Sequence, residues 1–376
     1  MTVLKSKQEI EDFVRGCTFL GTGGGGAAES GVRWLTGLLE QGKTPGFVSA
    51  DEVKDGVWTM CCYLMGTIAP ETDEVRRRKE QFGLTKRIYD NMPAEAGKEL
   101  AKYAKIDVGA IVPLEIGGGA TPSALAAGAI FGVPVVDGDY SGGRAIPEVP
   151  QTTPIIYDRG MWPMASADAY GNRAVITEAS SFEMAERMGK MLSAASFELV
   201  GNAAFLMKAD VMKKTVVHGT LTRSYEIGKA IRRARETGKD PVEAARETSN
   251  GFLLFRGRVT KKNWESRDGY LWGDHTIDGD GPFAGNTYKI WYKNENHVTW
   301  LNGTPHVTSP DLVIVVDERT GEPLTNTVIK EGDRVAVIGI AAAEAFTTPK
   351  GIDLLGPRHF GFDIDYRPIA EVLKKA

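Results

Sequence analysis

Residues 107–139 run Asp107-Val-Gly-Ala-Ile-Val-Pro-Leu-Glu115-Ile-Gly-Gly-Gly119-Ala-Thr-Pro-Ser-Ala-Leu-Ala-Ala-Gly-Ala-Ile-Phe131-Gly-Val-Pro-Val-Val-Asp137-Gly-Asp139. The apolar stretch from Asp107 to Glu115 reads as a short buried strand. Thr121-Pro122-Ser123 supplies helix-start signals: a hydroxyl for a cap and a proline for the first turn. Ala124 to Phe131 is an Ala-rich helix that Gly132 ends. Val133 to Asp137 is a second strand, with Pro134 near its start. The stretch therefore predicts a strand–loop–helix–strand unit with a right-handed parallel crossover. Ligands of such units bind outside the carboxyl ends of the strands. That edge carries Glu115 and Gly117, Gly118 and Gly119 from one strand, and Asp137, Gly138, Asp139 and Tyr140 from the other. Glu148 lies close by in sequence. Aspartates at strand ends also start turns, but Asp137-Gly-Asp139 beside Gly142-Gly143-Arg144 favours a site.

A second glycine run, Gly21-Thr22-Gly23-Gly24-Gly25-Gly26, opens a predicted helix over Ala27–Glu40 with Val32, Leu35, Leu38 and Leu39 on one side. Ordering so many glycines costs backbone entropy, which a close main-chain approach or a ligand offsets. The run satisfies G-x-G-x-x-G, a weak signal by itself. Lys7 to Cys17 before it looks helical, and no acidic residue stands at the end of a following strand. A nicotinamide site is therefore not expected. Free N–H groups at a helix start suit an anion: a carboxylate, a phosphate, or sulfur developing negative charge.

Composition narrows the classes. The chain has 376 residues, 42% hydrophobic and 25% charged, with net charge −4. It is long enough for two domains. It has no basic footprint for nucleic acid and no apolar run that would span a bilayer. Arg76-Arg77-Arg78-Lys79 is flanked by acids and reads as a solvated helix face. Cys17, Cys61 and Cys62 form no zinc or disulfide framework, which fits a reducing cytoplasm. Cys61 and Cys62 sit in a strand-like run. Cys17 reads as a buried small residue, with a nucleophilic role as the alternative.

The texture changes along the chain. Residues 1–165 alternate glycine loops, strands and helices, and are assigned to an N-terminal α/β domain. Residues 166–376 are assigned to an α+β, β-rich domain. This half has helices over Ser181–Leu199 and Ser224–Thr237. Strands follow at 252–260, 269–277, 286–294, 311–316 and 333–338, with hairpin-type turns at Thr320–Pro323 and Lys330–Asp333.

An ordered set of short motifs then carries a resemblance. They are Leu20-Gly-Thr-Gly-Gly-Gly-Gly26, Glu115-Ile-Gly-Gly-Gly119, Val136-Asp-Gly-Asp139 with Gly143-Arg-Ala-Ile-Pro-Glu148, His218-Gly-Thr220, Asn294-Glu-Asn296, Ser309-Pro-Asp-Leu312 and Leu355-Gly-Pro-Arg-His-Phe-Gly361. From about Leu20 to Tyr366 the chain resembles the S-methyl-thiohydantoin desulfurase-like family, also known as hydantoin-utilisation proteins. The resemblance implies an N-terminal α/β domain, a C-terminal β-rich domain, and action on a cyclic ureide or thioureide. One branch, which includes thiohydantoin propionate desulfhydrase of ergothioneine breakdown, removes sulfur from thiohydantoins. Two features depart from the family pattern: the extra glycine in Ser141-Gly142-Gly143-Arg144, and His359.

Hydrolytic desulfuration needs an activated water, stabilisation of anionic sulfur, and release of sulfide. Asp137 or Asp139 is the expected base or metal ligand. His218 is expected to pass a proton to the departing sulfur, with Glu295 and His359 as further catalytic candidates. Gly23, Gly24, Gly25, Gly117, Gly118 and Gly119 would stabilise developing charge. Arg144 or Arg358 would bind a substrate carboxylate. A divalent metal such as zinc could assist the base, although the five histidines show no metal-ligand spacing. Single residues also have plainer readings: Glu295 as part of a hairpin turn, Arg358 as partner of Asp363 or Asp365. The alternatives are a hydantoin- or lactam-directed hydrolase component and a metabolite-binding protein. A homo-oligomer is compatible with the Ala- and Gly-rich helices.

Overall fold

The computed structural model describes residues 1–66 and 71–374. Its strands are β1 (Thr2–Val3), β2 (Gly46–Ser49), β3 (Trp58–Met65), β4 (Val108–Val112), β5 (Val136–Asp139), β6 (Met164–Ala167), β7 (Arg173–Ile176), β8 (Val200–Lys208), β9 (Val217–His218), β10 (Phe252–Arg267), β11 (Tyr270–Gly279), β12 (Thr287–Lys293), β13 (Glu295–Leu301), β14 (Thr304–Thr308), β15 (Leu312–Asp317) and β16 (Arg334–Ile340). The N-terminal region is α/β. One sheet has the order β1-β2-β5-β9 and another β4-β3-β8-β6-β7. A parallel bridge between Ile111 and Val135 joins them. The β-rich C-terminal part is a seven-stranded antiparallel sheet, β14-β13-β12-β11-β10-β16-β15.

The expected strand–loop–helix–strand unit is present. The first strand is β4, and the helix, α5, covers Ala120–Phe131. It begins before Thr121, with Gly119 at the cap position. The Thr121 hydroxyl instead accepts the Gly117 N–H (3.0 Å) and donates to the Glu115 carbonyl (3.1 Å), bracing the glycine loop. The expected second strand over 133–137 lies later, at β5. Helix α1 (Lys7–Leu20) precedes the other glycine run, and α2 (Ala28–Glu40) follows it. A capping box between Ser6 and Glu9 starts α1. The helix expected over 181–199 stops at Ser196, where Phe197 turns left-handed, and the one expected at 224 begins at Thr220. The segment after 294, expected to be a turn, reverses at Asn294 alone (φ 58°) and continues as β13. Its polar Glu-Asn-His start hides a strand whose partners are distant.

The core ties the two parts together. Ile10, Phe13, Cys17 and Leu20 of α1 share one buried cluster with Leu125 of α5 and with Leu312, Ile314 and Ile338 of the large sheet. Each such side chain contributes about 1.5–3 kcal/mol by leaving water. Helix α1 crosses the helix Thr220–Glu236 closely. A Cβ on Gly16 would lie 1.6 Å from the Ser224 carbonyl oxygen, and one on Gly228 would lie 1.8 Å from that of Asp12. Cys17, Cys61 and Cys62 are buried thiols. Burial pushes Cys17 up to about 12, so it packs as a small apolar residue. Lys79 of the basic run is buried between Glu71 and Glu198 (both 2.7 Å). Among the described residues no helix is long and apolar enough to cross a membrane.

The two glycine runs meet. A Cβ on Gly25 (φ +76°) would lie 2.5 Å from the Gly117 Cα, and the Gly25 carbonyl accepts the N–H groups of Gly119 and Ala120 (both 3.0 Å). Gly25→Ala should therefore cost about 2–5 kcal/mol, from left-handed strain plus overpacking. Gly37→Ala, in α2 with nothing within 4 Å of its Cβ position, should stabilise by about 0.5–1 kcal/mol. Urea melts of both variants check this, and equal effects would contradict the close-contact role.

Candidate functional site

The carboxyl ends of β4 and β5 are stitched side by side. The Tyr140 N–H donates to the Leu114 carbonyl (3.1 Å), and the Ile116 N–H to that of Arg144 (2.9 Å). Asp139 shapes the turn that follows. Its carboxylate accepts the Ser141 N–H (2.6 Å), the Ser141 hydroxyl (2.9 Å) and the Gly143 N–H (3.0 Å). Burial raises its pKa to about 6, opposed by these bonds and one from Thr220. Arg144, 1% exposed, follows the turn. Its guanidinium donates to the carbonyls of Ala145 (3.1 Å), Pro310 (3.0 Å), Asp311 (3.4 Å) and Asn296 (3.4 Å). Those bonds tie the turn to the large sheet and commit Arg144 to main chain rather than to a substrate carboxylate. Burial lowers it to about 10, against the carboxylates of Glu295 and Asp311.

Glycine contacts decide what reaches this junction. The Thr22 carbonyl accepts the Asn296 N–H and that of Gly23 accepts the Asn326 N–H (both 2.8 Å). A Cβ on Gly24 would lie 1.9 Å from Glu295 Oε1. Gly24 and Gly25 thus lie between Glu295 on one side and Gly117 on the other, with Gly118 and Gly119 packed against Ala28 and Gly26. The expected meeting of both loops is present, as main-chain contact. Burial, then the nearby Glu115, drives the Glu295 carboxyl well above its ordinary range. Glu115 accepts the Ile146 N–H (2.9 Å). It keeps some accessible surface, yet desolvation and the nearby carboxylates of Asp139 and Glu186 raise it to about 7.

A charged network lies beyond Glu186, whose carboxylate acts on both Glu115 and Glu148. Glu148 joins Lys293 through Oε1. Through Oε2 it joins His359 Nε2 (2.8 Å) and Gln151 (3.2 Å). Burial opposes its ionisation, but the bond to His359 and the charge of Lys293 hold it at about 2. An ionised carboxylate only accepts, so the Nε2 of His359 carries the hydrogen of that bond. Lys293 lies 4.2 Å from the ring centre of Tyr270 and 5.0 Å from that of Trp272. Lys190 stands 3.0 Å from the centre of Tyr270 and 3.4 Å from Glu186. Glu186 also accepts the Val149 N–H (3.2 Å).

Other expected residues sit elsewhere. Asp137 accepts the N–H groups of Leu221 and Thr222 (both 3.0 Å) and so caps the helix Thr220–Glu236. His218 is exposed, with Nε2 2.8 Å from the Lys213 carbonyl oxygen. Arg358 is exposed and pairs with Asp363 (2.8 Å) and Asp365 (3.0 Å). The structure therefore brings Asp139, Arg144 and Glu295 to one junction, with His359 on the adjoining network; Asp137, His218 and Arg358 have separate partners. Lys293, Glu186, Lys190 and Tyr270 were not foreseen. Lys293 adjoins the Asn294-Glu295-Asn296 motif, whereas the other three carry no local signal. Among the described residues no three His, Cys, Asp or Glu side chains converge as a metal site, so the donor set does not fit zinc and no step is routed through a metal.

A family model described as S-Me-THD-like, N-terminal domain, matches residues 8–178, and its C-terminal counterpart matches residues 180–369. The chain belongs to the S-Me-THD-like family. The S-Me-THD-like fold is shared with a crystal structure of a protein from Chromobacterium violaceum. The TM-score is 0.77 and the identity 22%, covering 98% of this chain and 100% of that one. No curated protein matches the chain.

The raised Glu115 carries a stability consequence. Its proton stays on in the folded state up to about pH 7 but leaves the unfolded chain near 4.5. Stability is therefore lost as pH rises between those values, by about 1.4 kcal/mol per unit for one group. Glu115→Gln should make the fall of the urea midpoint shallower over that range. A profile parallel to the wild type would contradict the raised pKa.

Proposed function

We propose that this chain is a hydrolase that removes sulfur from a 2-thiohydantoin, giving the hydantoin and hydrogen sulfide. The observation that carries the reading is Glu148, in the N-terminal matched domain, holding both His359 and Lys293 of the C-terminal one. Histidine paired with a carboxylate is a common general base. His359 Nδ1 takes a proton from water as the water oxygen bonds to the thiocarbonyl carbon. The electron pair of the C=S bond moves onto sulfur. The Lys293 ammonium faces the developing charge, in a setting where low dielectric strengthens it. His359 returns its proton to sulfur, the C–S bond breaks with its pair on sulfur, and His359 Nδ1 takes the hydroxyl proton as C=O forms. His359 then passes that proton to hydrosulfide, which leaves as hydrogen sulfide. The balance is thiocarbonyl plus water to carbonyl plus hydrogen sulfide. Tyr270 and Trp272 give a flat ring an apolar surface.

Sulfide release from 5-substituted 2-thiohydantoins tests the reading. Glu148→Gln and His359→Asn, with folding checked by circular dichroism, should lower kcat about 10²- to 10⁴-fold. Asp137→Asn should cost about 1 kcal/mol of stability through its helix cap and much less in rate. No sulfide from any thiohydantoin, or full activity in Glu148→Gln, would overturn the reading.

A further inference from the structure

β13 carries Glu295 and His297 two residues apart, with His297 the extra residue of a β-bulge, and the Arg144 charge acts on both side chains. Glu295 is 2% exposed and His297 0%. Neither ring nitrogen of His297, nor Oε2 of Glu295, has a hydrogen-bond partner among the described residues. One stranded polar group costs about 1–3 kcal/mol. Three such atoms on alternate residues of one strand need a reason.

Stacking supplies a second observation. The His297 ring lies against Phe360, with centroids 3.9 Å apart at 29°. Phe360 also meets Trp291 at 5.7 Å. It belongs to the one-turn helix Pro357–Phe360, which runs between Gly356 and Gly361 (φ +85°). The same turn carries His359, bonded to Glu148. One aromatic ring thus covers the unpartnered imidazole beside the proposed base. Burial keeps Glu295 protonated and His297 neutral, so each offers one donor and one acceptor.

We infer that Glu295 and His297 form a recognition subsite for the N–H and C=O or C=S edge of an uncharged planar cyclic amide, and that the substrate ring takes the stacking position Phe360 holds. The inference rests on the desulfuration reading for its location, not for its ring class. A charged ring would bring an unpaired charge against neutral buried groups. A single ordered water would satisfy one or two of these atoms but would not use the stacking face.

His297→Phe preserves the flat ring and removes both nitrogens. The free variant should melt at least as high as the wild type, while hydantoin binding by calorimetry weakens at least tenfold. Unchanged affinity would overturn the subsite and assign those atoms to water. Should the variant fail to fold, ¹⁵N spectra of the histidine-labelled wild-type protein decide: saturating hydantoin should shift the His297 ring nitrogens, and no shift overturns the subsite. Succinimide, a planar cyclic imide without sulfur, separates the two claims. His297-dependent succinimide binding without sulfide release from any thiohydantoin sustains the subsite and refutes desulfuration. Normal sulfide release and affinity in His297→Phe refutes the subsite and leaves desulfuration standing. A wild type that binds neither hydantoin nor succinimide refutes the subsite.

Discussion

Main-chain contact between Gly25 and Gly117 is the constraint on which the arrangement depends. Any Cβ on either residue would push the two loops apart. With them would move the carboxyl end of β4, the start of α5 and the start of α2. Glu295 presses on the adjacent Gly24 from the large sheet, so the junction also sets how the β-rich part meets the α/β part. Arg144 reinforces it through main-chain carbonyls of that sheet. Glycine here is a packing device: it lets three backbone segments from distant parts of the chain approach closely enough to exclude water.

The structure drives two carboxylates in opposite directions: Glu148 to about 2 and Glu115 to about 7. The first has a lysine and a histidine as partners; the second has burial and other carboxylates around it. Titratable groups whose environments separate their pKa values are a common mark of divided acid and base roles. Buried ion pairs are poor evidence of stability, because desolvation offsets their attraction. A network of this density is better explained by what it does to a ligand.

Much of the fold was legible. The glycine runs, the β4–α5–β5 unit and the long β-rich stretch all have local periodicity or turn chemistry behind them. β13 was hidden because Glu295, Asn296 and His297 are polar yet buried by distant partners. The site was legible in pieces. Glu115, Asp139, Arg144, Glu148, Glu295 and His359 stand in the motifs, but their pairing does not. Glu148 meets Lys293 across 145 positions and His359 across 211; no spacing rule reaches so far. Asp137 shows the converse. A strand-end aspartate reads as a catalytic base or metal ligand in sequence, yet its carboxylate accepts the first N–H groups of a helix more than 80 residues away.

The central claim is that the ring of the proposed substrate binds beside Glu148, Lys293 and His359. A crystal structure of the protein soaked with a hydantoin, the product the enzyme would retain without turning over, tests it most directly. The account predicts ring density within hydrogen-bond distance of His359 Nδ1 and beside Lys293. Density instead against Asp137 and His218, with the Glu148 network undisturbed, would contradict it.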